Sequence, residues 1–110
     1  MIELSNPETI VAGWLLKNKI PFSMQQNFFG GVSQAGGARI DFVLTDRMIC
    51  LRVQSYWHAN PEARARDMVQ TISLINAGYR VVDVHEEDLM ENVDNVMKMA
   101  VQGENSPRTR

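Results

Sequence analysis

A single cysteine, Cys50, means that this chain can close no internal disulfide. A lone thiol inside an apolar strand-like run reads as a small core residue and suits a reducing compartment. No apolar run approaches the ~20 residues of a membrane helix, and no secretory leader pattern stands at the start. A soluble, cytoplasmic protein without membrane partners is therefore expected. Basic charge is also short: the net charge is −2. A protein that holds nucleic acid by nonspecific phosphate contacts carries a basic balance, so any such site here must be local. Internal repeats, low-complexity tracts and CxxC pairs are missing. The glycines at 30, 31, 36 and 37 lack the GxxxxGK[ST] pattern and no helix follows them directly, so they bracket a long hairpin loop rather than a phosphate cradle.

What is present is enough for one domain. The chain has 110 residues, 45% of them hydrophobic, within the usual range of about 100–150 residues for a domain. Ser5-Asn6-Pro7-Glu8 signals a helix start, and the helix runs to about Asn18 with Ile10, Val11, Trp14 and Leu15 as its apolar stripe. Strands are expected at Ser23–Phe29, Ala38–Leu44 and Met48–Gln54. Asn60-Pro61-Glu62 opens a second helix that stops at Gly78, with Met68, Ile72 and Ile75 as its buried stripe and Asp67, Gln70 and Leu74 on one flank. Tyr79–His85 reads as a strand, and Glu86 to about Gln102 as one last helix. The helix between the third and fourth strands predicts a parallel pair. Residues 1–102 form the domain, and 103–110 have the composition of a polar tail.

The most informative stretch runs from Arg39 to His58. Alternation puts Arg39, Asp41 and Val43 on one strand face, and Met48, Cys50, Arg52 and Gln54 on one face of the next. A carboxylate such as Asp41 in the middle of a strand is costly unless it is paired or used. Glu8 in the first helix, IDFVL around Asp41, LRVQSYWH ending in His58, Asp67 in the next helix and GYRVVDVHEEDL after it resemble the PD-(D/E)XK, or restriction-endonuclease-like, superfamily. The pattern is most similar to the very-short-patch repair and EDxHD homing endonucleases.

The resemblance implies an α/β single domain of order α-β-β-β-α-β-α around a central mixed sheet. It implies a metal-dependent endonuclease that hydrolyses DNA phosphodiesters with Mg2+ or Mn2+. Asp41 would be the metal ligand, because a hard cation takes carboxylate oxygens and keeps several waters. His58 would be the acid/base near neutral pH. Asp67 would orient His58, and Glu8 would hold a metal-bound water. Arg52, Gln54, Tyr56, Trp57 and Gln70 would contact the substrate, with the two aromatics stacking on bases.

The chain departs from the superfamily at the usual second acid and lysine, which fall near Arg52 and Gln54. Arg52 neither binds a metal nor acts as a base. The residues therefore also admit a structural reading, in which Asp41 and Arg52 form a buried ion pair. On that reading the protein is a catalytically inactive nuclease-fold subunit of a larger, phage-type assembly. Either way the acidic balance favours a homodimer or a place in a complex.

Overall fold

The computed structural model describes residues 4–28, 38–54 and 61–109. Helix α1 spans Asn6–Lys17. Ser5 caps it in a capping box: its hydroxyl accepts from the Glu8 N–H while Glu8 accepts from the Ser5 N–H. Strands β1 (Ser23–Phe28), β2 (Ala38–Leu44) and β3 (Ile49–Gln54) follow. Helix α2 (Pro61–Asn76) ends at Gly78, whose φ of 94° needs a residue without a side chain. Strand β4 (Arg80–His85), helices α3 (Glu86–Glu91) and α4 (Val93–Ala100) and a 3-10 turn at Pro107–Thr109 complete the chain.

The strands form one four-stranded mixed sheet in the order β1-β2-β3-β4. The first three pair antiparallel and β4 joins β3 in parallel, as a helical crossover requires. One face of the sheet is apolar. Ile40, Phe42, Leu44, Ile49, Leu51, Val53, Val82 and Val84 pack there against Val11 and Leu15 of α1, Leu89 of α3 and Val96, Met97 and Ala100 of α4. Burying such side chains contributes about 1.5–3 kcal/mol each before the cost of ordering them. The chain is thus an α/β domain with a central mixed sheet.

The opposite face carries a polar row beside the buried Val43 and Cys50, and α2 lies over it. The expected buried stripe of α2 is not buried: Met68, Ile72 and Ile75 are exposed, and the inward residues include Asp67 and Gln70. The reason is complementarity. A row of charged strand side chains offers nothing to an apolar stripe, and it can be satisfied only by polar groups. The last helix also differs from expectation. Asn92 interrupts it with φ −157° and ψ 81° and caps α4 by accepting from the Asn95 N–H, giving two short helices.

The segment after α4 is tied to the edge of the sheet. The Ser106 N–H donates to the Asp83 carbonyl, and the Asp83 N–H donates to the Asn105 side chain. The His85 N–H donates to the Ser106 hydroxyl, whereas Thr109 donates its hydroxyl to the Asp83 carbonyl. These bonds occupy β4 groups that an edge strand would leave open. Arg108 forms ion pairs with Glu87, Asp88 and Glu91 of α3. Among the described residues, no helix is long and apolar enough to cross a membrane.

Candidate functional site

The polar face is built on one cross-strand row. Gln25, Asp41, Arg52 and Asp83 stand opposite one another on β1, β2, β3 and β4, and cross-strand neighbours project from the same face. Asp41 is 1% exposed and Arg52 2%. A guanidinium this deep needs carboxylates around it.

Arg52 finds two. Its Nε donates to Asp83 Oδ1 at 2.9 Å and its Nη2 to Asp83 Oδ2 at 3.2 Å, a two-pronged pairing. Its Nη1 donates to Asp67 Oδ1 at 2.9 Å, from the second turn of α2. Burial alone would lower the Arg52 pKa. The hydrogen bond to Asp83 and the charges of Asp83, Asp67 and Asp41 outweigh it and raise it above the usual value.

Gln70 joins the two halves of the row. Its amide Nε2 donates to Asp41 Oδ2 at 2.8 Å, and its Oε1 accepts from Arg52 Nη1 at 3.4 Å. An amide is the group that can face a carboxylate with one end and a guanidinium with the other. Position 70 lies three residues after Asp67, hence on the same helix face. Gln54 Nε2 also donates to Asp83 Oδ1, at 2.9 Å. Among the described residues, no buried side-chain nitrogen or oxygen lacks a hydrogen-bond partner.

Asp41, Arg52, Gln54, Asp67 and Gln70, five of the residues expected from sequence, therefore meet in one network. Glu8 takes another role. Its Oε1 closes the capping box and its Oε2 accepts from the Ile40 N–H at 2.9 Å, so it fastens α1 to β2 beside Asp41. Tyr56, Trp57 and His58 lie outside the described residues, as does the glycine-bracketed loop. His85 caps α3, its Nδ1 accepting from the Glu87 N–H.

Asp83 is the residue that sequence reasoning passed over. The signal was there: in RVVDVH it shares the alternation of Val81 and His85, opposite the fully buried Val82 and Val84. Only the parallel register shows that this face meets Arg52. The anticipated Asp41–Arg52 pair is correspondingly wider, with Asp83 and Asp67 as the carboxylates bonded to the guanidinium.

A divalent cation would need carboxylate oxygens turned toward it with space for waters. Asp41 instead accepts an amide proton from Gln70, and Arg52 holds oxygens of both Asp67 and Asp83. Among the described residues, no three carboxylate, imidazole or thiol groups are placed to share a metal ion. In this arrangement the described side chains do not fit magnesium or manganese. No family model, no curated protein and no solved structure matches the chain.

Proposed function

We propose that this is a restriction-endonuclease-like domain that works as a non-catalytic interaction subunit of a larger assembly. The observation that supports this reading is Arg52. A buried guanidinium stands near where the resemblance puts the superfamily's second acid and is ion-paired to Asp83 and Asp67, while Asp41, the expected metal ligand, accepts an amide proton from Gln70. Such a network specifies how α2 sits on the sheet; it offers no group to a phosphodiester.

One observation favours the second reading, a metal-dependent DNA endonuclease with His58 as acid/base. Asp41, Gln54 and Asp67 gather on one sheet face, and Gln54 directly precedes the stretch 55–60 that carries Tyr56, Trp57 and His58. Catalysis on this reading requires Gln70 to release Asp41 and Arg52 to release Asp67.

The two readings part on Asp41→Asn. The non-catalytic reading expects no nicking of supercoiled DNA by the wild type with Mg2+ or Mn2+. It also expects the variant to lose about 1–3 kcal/mol, because a buried charge-assisted hydrogen bond is replaced while Arg52 keeps two other carboxylates. Both quantities are read by agarose gel and urea denaturation. Metal-dependent nicking that disappears in a fully stable Asp41→Asn variant, and in His58→Ala, would establish the endonuclease instead.

A further inference from the structure

Helix α2 lies over two deeply buried charges, Asp41 and Arg52, yet buries almost nothing of its own. Among residues 65–76 none is buried. Asp67, Gln70, Thr71 and Leu74 are partly covered, and the others are exposed, Met68, Val69, Ile72 and Ile75 among them. Helix α1, by contrast, sinks Val11 and Leu15 completely into the apolar side of the sheet. Packing of an apolar face is what ordinarily holds a helix in a protein. Helix α2 has polar bonds instead: from Asp67 and Gln70 they reach Arg52 and Asp41.

Bonds of this kind resist opening less than apolar burial does. Lifting α2 breaks them but returns Asp41, Arg52, Asp67 and Gln70 to water, and the hydration of the freed charges offsets much of the Coulombic loss. Asp67 already keeps 28% of its side chain exposed, so its pair with Arg52 sits at the edge of solvent. Arg52 is not left without a carboxylate, because its two hydrogen bonds to Asp83 belong to the sheet and stay with it. The apolar side of the sheet is untouched, since its helices are α1, α3 and α4. Gly78, at φ 94°, follows α2 and gives the motion a pivot. Such an opening costs less than unfolding the domain.

We propose that α2 is a lid. It opens as a unit while the rest of the domain stays folded, and the single motion frees Asp41 from Gln70 and Arg52 from Asp67. The inference goes beyond the two readings above and depends on neither: α2 controls access to the ionic row, whatever the row serves. Cys50 makes the opening measurable, being the only cysteine, buried, and on the sheet face under α2. The test is the rate at which an aromatic disulfide reagent labels Cys50 in the whole chain under native conditions, together with amide hydrogen exchange of residues 65–76. Both should report one opening, at least ~100-fold more frequent than the global unfolding measured in urea. Asp67→Asn should raise both about tenfold, because a neutral amide holds Arg52 less tightly than a carboxylate does. Val11→Ala, in the core on the opposite side of the sheet, lowers global stability but should leave both unchanged, since that packing survives in the open form. A Cys50 that reacts no faster than the domain unfolds overturns the proposal. So do α2 amides that exchange only together with those of β3 and β4, or an opening that speeds up in Val11→Ala as much as global unfolding does.

Discussion

Gln70 shows how narrowly a single side chain can be specified. Its amide separates a buried carboxylate from a buried guanidinium, with the donor end toward Asp41 and the acceptor end toward Arg52. Gln70→Glu has nearly the same shape but sets a second carboxylate against Asp41. Like charges at that distance raise the pKa of one partner. The variant should therefore be less stable than wild type at neutral pH by about 1–3 kcal/mol. The deficit should shrink as the pH falls through the raised pKa, because the folded state then takes up the proton first. Melting temperatures of both proteins across pH 4–8 read this directly, and a deficit independent of pH would refute it. Asp41 was legible as a costly residue because a carboxylate stood between Ile40 and Phe42. Its bond to Gln70 was not, since an amide side chain leaves no periodic mark in a sequence.

Among the elements, β2 ran as its composition suggested, and the end of α2 near Gly78 was fixed by backbone chemistry. The side of α2 that faces inward was misread, because an apolar stripe normally marks the core and the polar demand of the strand row outweighed it. The C-terminal segment has the composition of a tail, but Asn105, Ser106, Arg108 and Thr109 bind β4 and α3. Asp88 anchors it. Burial would raise the Asp88 pKa, but hydrogen bonds from the Arg108 backbone and from Ser106 and Arg108 side chains, with the Arg108 charge, hold it below the usual carboxylate value. A lowered pKa contributes stability above the unfolded value of about 3.9 and loses it as pH falls through the folded value. Asp88→Asn should therefore be less stable than wild type from neutral pH down to about pH 4, and the gap should close in stronger acid. Acid denaturation of the pair measures the convergence. Ending the chain at Gly103 should cost on the order of 3 kcal/mol through the lost edge hydrogen bonds. It should also promote association through β4, visible by light scattering; a truncated chain as stable as the whole would mean the segment only rests on the sheet.

At the scale of the whole molecule, one side of the sheet is wholly apolar and the other sets an ionic row beside the buried Val43 and Cys50. The alternation of the strands placed Asp41 and Arg52 on faces that also carry apolar residues; that these faces join Asp83 in one ionic row depended on long-range register, above all the parallel pairing of Arg52 with Asp83. The ionic side also bears on the order of events in folding. Its charges come from β2, β3, α2 and β4, between Asp41 and Asp83 in the chain. Any partial assembly would strip water from a charge before its partners arrive, so the network is expected to close last, after the apolar face has collapsed. Arg52→Met should then speed unfolding by most of its destabilisation, about 3–5 kcal/mol, and leave the refolding rate nearly unchanged. A chevron with a slowed folding limb would place the network in the nucleus instead. If the limbs move as expected, Arg52 determines chiefly how long a folded molecule lasts, and little of how quickly it forms.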